Sequence, residues 1–415
     1  MNRTFSVSIV VGLNIAIAIG IQFFILLHFG VGPDTDAHVA SQTLPVLAGS
    51  LLTATLPQAL VPILIAERDP GAAAWAILRT MALISVPTVL ALVVLTPLLV
   101  RALFFGMDEG AQAIAIDLSR IQMPTIVASA LLAAPLARLY ADHRVLTSEA
   151  AFLLASVITA AILPFLSNRY GIRGASVALL VRPFIQFAYV LSAIGRPPSA
   201  IRDRELRATV WHRVRPLLGS APLYKLGPVV DRMLGSLAQT GQLTLLIYGQ
   251  HVWSFGLTMI DRVFAKPLLA NVSRGVFERR FDDARAAYLT HLRNVGILTT
   301  IAVAAFWLVG EPALALVSDV TRLTSADAAG LYTICLVLGG VLILGGMAQM
   351  SLTVVYSLGD TRSVMRIAIA SFIAATAIKV ALIPAFGVIG IALGAVFYQL
   401  ANFVALHRCV MRALR

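Results

Sequence analysis

The sequence predicts an all-α integral membrane protein, with twelve transmembrane helices in two six-helix lobes. Three observations predict it. Hydrophobic residues fill 59% of the 415 positions and charged residues only 13%, where a soluble domain carries about 45–50% and about 25%. Apolar stretches long enough to cross a bilayer, about 20 residues, recur along the whole chain. Arginines gather in alternate connections, as loops on the inner face of a membrane do. The net charge of +12 is therefore a topology signal rather than the footprint of a nucleic acid.

The first span is placed at 5–29. Its uncharged run is too long for a cleaved leader, and no small-x-small site closes it. The second, 38–65, contains Pro45, Pro57 and Pro62. Each proline removes a backbone donor, which lipid tolerates only where a neighbouring helix, a side chain or cavity water takes over. The third span, 74–100, holds Pro87, and the fourth, 113–137, holds Pro124. The fifth and sixth, 146–166 and 174–194, turn at Gly171 and Gly174, and Pro183 kinks the sixth. The connection 195–215 carries Pro197, Pro198 and six arginines, and it divides the chain. The expected organisation is a lobe at 1–197, a cytoplasmic linker at 198–215 and a second lobe at 216–415.

The second lobe repeats the count, at 216–238, 242–268, 289–309, 328–356, 365–385 and 388–407. An even number of spans per half makes both halves enter the bilayer in one direction. A pseudo-two-fold along the membrane normal is then expected. Internal echoes support a duplication. Tyr140 precedes Asp142-His143-Arg144, and Tyr356 precedes Asp360-Thr361-Arg362; Gly171 and Gly174 are answered by Gly387 and Gly390, and Pro62 by Pro267.

With both termini inside, the inner segments hold Arg3, Arg68, Arg138, Arg144, six arginines between 196 and 215, five between 274 and 293, Arg362, Arg366, Arg408, Arg412 and Arg415. The outer loops hold Arg101, Arg169, Arg173 and Arg322. This bias predicts cytoplasmic termini. Cys335 and Cys409 imply no disulfide framework.

Eight cations sit inside predicted spans: Arg79, Arg120, Arg182, Lys225, Arg232, Arg262, Lys266 and Lys379. Comparable acids are Asp117, Glu149, Asp231 and Asp261. A cation in hydrocarbon costs about 2.5–3.5 kcal/mol on insertion scales, so it faces a water-filled cavity or a partner. The positive excess suits an anion. Lys225 and Arg232 are seven residues apart, close to two helical turns, and share a face. Arg182 precedes Pro183 at a predicted kink, and Lys379 has no helical partner nearby. The structural alternatives are that Asp231 neutralises Arg232 and Asp261 neutralises Arg262. Arg79, Arg262 and Lys266 also lie near cytoplasmic ends and could snorkel. Asn14, Gln22, Gln42, Gln58, Gln250, His251, Gln399 and Asn402 could bind the hydroxyls of a polar ligand or pack through hydrogen bonds.

Enzyme signatures are missing from the sequence: no H-E-x-x-H, no phosphate-binding loop and no Cys/His metal spacing. No cofactor and no catalysis are expected. The outer loop 310–327 is too short for the catalytic domain of a polysaccharide polymerase or ligase. A cation-coupled drug exporter would need a mid-membrane carboxylate in the first lobe, for which Asp117 and Glu149 are the candidates. A membrane scaffold that does not transport is a third alternative.

Three stretches carry a family resemblance. Gly32-Pro33-Asp34-Thr35-Asp36-Ala37, Gln42-Thr43-Leu44-Pro45 and Pro57-Gln58-Ala59-Leu60-Val61-Pro62 follow in order. Together they resemble the region joining the first two spans of MurJ-type lipid II flippases. Tyr356 with Asp360-Thr361-Arg362 is similar to a tyrosine-plus-GDT segment there, and Asp231-Arg232, Gly241 and Tyr248-Gly249 to its seventh and eighth helices. The wider group is the multidrug/oligosaccharidyl-lipid/polysaccharide exporter superfamily.

The resemblance implies two lobes that open alternately to each side of an inner membrane. It also implies a cationic cavity for an undecaprenyl-diphosphate-linked saccharide. The candidate substrate site is Lys225, Arg232, Arg182, Arg262, Arg120 and Lys379, with Gln58, Asp36, Gln250 and His251. Expected partners are that lipid-linked saccharide, membrane lipid and a coupling cation, with no nucleic acid; the chain is expected to act as a monomer. The chain departs from the pattern in three places. Gly49 and Ser50 stand near an expected arginine pair, Gln250 and His251 occupy an expected Asp-Arg pair, and two further C-terminal helices of that family are missing. Twelve spans also suit O-antigen and exopolysaccharide flippases, so lipid II is one of several candidate cargos.

Overall fold

A span in lipid must pair every backbone N–H and C=O within itself, which leaves helices for an apolar chain of this kind. The computed structural model describes residues 3–67, 69–195 and 226–414, and among these every regular element is helical. Contacts divide the chain into two compact units. One is Met1–Phe29 with Pro33–Val229; the other is Gly30–Gly32 with Val230–Arg415.

The first unit begins with α1 (Arg3–Phe29). The expected second span is a broken helix: α2 (Pro33–Ser41), α3 (Thr43–Gly49), a π-helical turn at Ser50–Thr55, and α4 (Leu56–Ala66). Pro57 and Pro62 withhold two donors from this ladder. A wider i→i+5 turn and hydroxyls take up part of the slack: Ser50 donates to the Leu47 carbonyl and Thr53 to the Gly49 carbonyl, both at 2.8 Å. Next come α5 (Pro70–Leu103), α6 (Glu109–Gln122), α7 (Pro124–Ala141) and α8 (Val145–Ile194). Asp69 and Asp108 cap α5 and α6, accepting from the backbone N–H groups of Ala72 and Ala111. The centre of the unit is α7, whose Leu132, Ala133, Ala134, Leu136, Ala137 and Leu139 are fully buried as it packs on α4, α5 and α8. Leu83, Leu90, Val94 and Leu98 of α5 are 63–76% exposed. They recur every four to seven residues and form one apolar stripe that lipid would cover.

The second unit takes up α9 (Gly227–Gly235) from Val230 and holds α10 (Gln242–Ile260), then a second π-helical turn at Asp261–Ala265. It continues with α11 (Lys266–Phe277), α12 (Phe281–Ser318), α13 (Ser325–Ser357), α14 (Thr361–Phe386) and α15 (Val388–Ala413). Here α13 is the centre, packed on α10, α11, α12 and α15. Its glycines allow the approach. A Cβ at Gly339 would meet Val303 at 2.8 Å, one at Gly340 would meet Val396 at 2.9 Å, and one at Gly346 would meet Ile260 at 2.9 Å. Small residues let helix backbones come close where water exclusion provides no drive.

Each unit contains the same two turns. His143 (φ 56) and Gly359 (φ 76) both take a left-handed conformation. The next backbone N–H groups, of Arg144 and Asp360, close on Leu139 and Val355. Further on, Gly171 (φ 60) breaks α8 into two helices and Gly387 (φ 54) separates α14 from α15. A Cβ at Gly174 would lie 2.0 Å from the Leu166 carbonyl oxygen, and one at Gly390 would lie 2.8 Å from that of Leu382. Every pair is 216 positions apart, the difference between 387 and 171. The glycine echo in the sequence is therefore an echo of backbone geometry.

Among the described residues, eight helical stretches are long and apolar enough to cross a membrane, one of them α6 together with α7. The expected fifth and sixth spans are the two halves of α8, and the second and eighth are the π-interrupted helices. The expected seventh span is described only from residue 226, and the expected linker 198–215 lies outside the described residues.

Candidate functional site

In the second unit, Asp231 and Arg232 sit side by side on α9 and are both buried. Asp231 was the natural partner for its neighbour, yet its Oδ1 accepts from Lys379 Nζ on α14, at 2.5 Å. Its Oδ2 accepts from Gln250 Nε2 on α10 at 2.9 Å. One carboxylate thus ties three helices, with both oxygens satisfied. Removing a partner from a buried pair of this kind strands a charge. His251 follows Gln250, half-buried, its ring edge-on to Tyr248 at 5.7 Å between centroids. Asp261, in the π-helical turn, accepts from Gln349 Nε2 of α13 at 2.9 Å, while Arg262 beside it is half-buried. Both aspartates thus have long-range hydrogen-bond partners, and the Asp231 carboxylate still acts electrostatically on the Arg232 guanidinium beside it.

In the first unit, Arg182 lies half-buried on α8, one residue before the buried Pro183. Its Nη2 donates to Ser156 Oγ at 2.8 Å, and Ser156 donates to Asn14 Oδ1 of α1 at 2.6 Å. Among the described residues, Arg182 Nε has no hydrogen-bond partner and the guanidinium has no carboxylate within 4.0 Å. A fork of donors is therefore held in place by neutral groups only.

The polar residues of α2 form a separate cluster. His38 Nδ1 lies 3.0 Å from Ser176 Oγ of α8, and His38 Nε2 accepts from Gln42 Nε2 at 2.8 Å. Gln122 of α6 donates to the same serine at 3.3 Å. Gln42 therefore serves packing. Asp36 is buried two residues before His38. It, and not Asp117, is a buried carboxylate of this unit: Asp117, half-buried, pairs at 2.6 Å with the exposed Arg173. Such a surface pair contributes about 0–1 kcal/mol. Glu149 is half-buried near the start of α8.

Other candidates are dispersed. Arg120 is exposed in the last turn of α6, and Arg79 is exposed on α5. Gln58 lies on α4 and Lys266 opens α11. Lys225 lies outside the described residues. Two features escaped the sequence reading. One is the buried His38. The other is a cluster in which Tyr288 Oη meets Ser351 Oγ at 2.8 Å and His407 Nδ1 at 2.6 Å, joining α12, α13 and α15.

The family model of the lipid II flippase MurJ matches residues 26–415. The chain belongs to the MurJ lipid II flippase family. Among solved structures, a lipid II flippase MurJ in an inward closed conformation is similar at TM-score 0.88 and 15% identity, over 98% of this chain and 87% of that one. A multidrug resistance MATE family transporter of the MOP superfamily, inward-facing, is similar at TM-score 0.82 and 17% identity, over 97% and 94%. An outward-facing MATE transporter follows at TM-score 0.69 and 14% identity, over 99% and 95%. At such identities these structures share the fold alone. No curated protein matches by sequence. Within the MurJ family, the departures noted in the sequence now have positions. Gly49 and Ser50 meet at the entry to the first π-helical turn, and Gln250 holds Asp231.

Proposed function

We propose that this member of the MurJ family carries an undecaprenyl-diphosphate-linked saccharide across the inner membrane by alternating access, with lipid II as the first candidate cargo. The observation that supports the site is Arg182, a guanidinium inside a span that is held by a serine hydroxyl, with no carboxylate beside it among the described residues. A diphosphate presents several acceptor oxygens and two or more negative charges. Arginine meets such a group with bidentate, charge-assisted bonds. Arg232, buried on α9, and Lys225, seven residues earlier in the sequence, are the further cations proposed to serve the cargo. The lobes that exchange access are 1–197 and 216–415, and the chain acts as a monomer.

No bond in the cargo is broken, so the chain works as a carrier and not as a catalyst. Both termini and the 195–215 connection lie on the cytoplasmic side in this reading. The inside-negative potential then favours outward movement of the anion, by about 2.3 kcal/mol per charge per 100 mV. Complementation tests the proposal. In a strain depleted of its own lipid II flippase, the wild-type chain restores growth. The Lys225→Ala/Arg182→Ala/Arg232→Ala variant, present at equal level by blot, does not. Full growth with the triple variant would overturn the site.

A further inference from the structure

A carboxylate inside a membrane span can be neutralised by a proton, by a dissolved cation or by a cation that the chain itself carries. Asp231 has the third. The Lys379 ammonium lies 2.5 Å from Oδ1, and the two side chains are 7% and 8% exposed. The approach is built into the neighbouring helix. A Cβ at Gly394 of α15 would lie 2.2 Å from Lys379 Cγ and 3.2 Å from Cε. Any side chain at 394 would push the lysine stem from its path near its root, where it has little freedom to move aside. Gln250 completes the arrangement by donating to Oδ2 at 2.9 Å.

We propose that Lys379 is a tethered counter-cation of Asp231. Its ammonium fills the place that a dissolved monovalent cation would need, and Gly394 is the positioning residue that seats it. The carrier cycle then draws no sodium or potassium at this carboxylate. Only that last consequence rests on the flippase reading. Removing the lysine side chain leaves a vacated pocket beside Asp231. An amide that rotates by half a turn at Gln250 would add a carbonyl oxygen to it.

Thermal unfolding of the purified full-length chain tests the pairing, with choline chloride as background and ethylammonium or sodium titrated in. The wild type keeps one Tm throughout. Lys379→Ala has a lower Tm in choline and regains it saturably with ethylammonium or sodium, because a ligand that binds only the folded state stabilises it. Gly394→Ala, which keeps both charges but dislodges the stem, gains the same response. Asp231→Asn/Lys379→Met loses it and stays near the wild-type Tm, since apolar or neutral replacements of a buried pair are often tolerated. If Lys379→Ala survives purification only with ethylammonium present, the proposal is supported; equal loss with and without it overturns the proposal. So does a Lys379→Ala Tm that ignores both cations, or a wild-type Tm that rises with sodium and ceases to do so in Asp231→Asn. In proteoliposomes, wild-type flipping at one rate in sodium and in choline extends the inference to transport, and a sodium-dependent rate abolished by Asp231→Asn overturns it. Absence of any flipping would sink the flippase reading while leaving the Tm result to stand.

Discussion

Arg182 concentrates the residue-scale argument. Its Nη2 is anchored on Ser156 and, through it, on Asn14, so the side chain is aimed without being neutralised. Arg182→Ala should weaken binding of an undecaprenyl-diphosphate-linked saccharide by about 1.5–3 kcal/mol, the range for a hydrogen bond to a charged group. Arg182→Lys should recover only part of it, because an ammonium keeps the charge and loses the planar fork. Native mass spectrometry of the lipid-bound protein can read both variants, and unchanged lipid retention in Arg182→Ala would reduce the residue to a packing role. That Arg182, Asp231 and Lys379 are special was legible in the sequence, since a charge inside an apolar run announces itself. Their partners were not. Lys379 lies 148 residues from Asp231, and Gln349 lies 88 from Asp261, so only the folded chain joins them. His38 went unnoticed because a lone histidine beside a motif carries no periodic signal. Its partners are Ser176, 138 residues away on α8, and Gln42 in the turn after α2.

At the scale of elements, the two units use one design twice, and glycine shows it most sharply. Gly174→Ala and Gly390→Ala should both destabilise, by about 1–3 kcal/mol for overpacking. The first should cost more, because its Cβ meets a carbonyl oxygen at 2.0 Å against 2.8 Å. Unfolding of the purified variants checks this, and one silent alanine would break the equivalence of the turns. The entry to α14 carries a pH dependence of known sign. Hydrogen bonding from Ser363, with Arg366 close by, holds the Asp360 carboxyl below its ordinary value. A folded pKa below the unfolded one gives stability that is complete above the unfolded value and is lost as pH falls through the folded one. Protection of the first-turn amides of α14 against hydrogen exchange, taken relative to the intrinsic rate at each pH, should therefore fall on acidification in the wild type and lose that dependence in Asp360→Asn. Span ends were readable from apolar runs closed by glycine, proline and loop arginines. The two π-helical turns were not. The prolines announced a break in each second helix, but the register of the replacement hydrogen bonds depends on the helices packed around it.

On the scale of the whole molecule, composition and arginine bias sufficed for the class, while the cargo came from family membership and from the charges inside the spans. In a background with Cys335 and Cys409 replaced, an impermeant thiol reagent applied from outside should miss a cysteine at Ser199 and label one at Thr324, which is exposed. The reverse pattern would invert the orientation and turn the potential from a help into an obstacle. The most direct test of the central claim is flipping of lipid II, or of another undecaprenyl-diphosphate saccharide, by the purified chain in proteoliposomes under an imposed potential. The account predicts movement above that of empty vesicles, acceleration by a potential that expels anions, and loss of both in Arg182→Ala/Arg232→Ala. Flipping no faster than in empty vesicles, or a double variant as fast as the wild type, would contradict it.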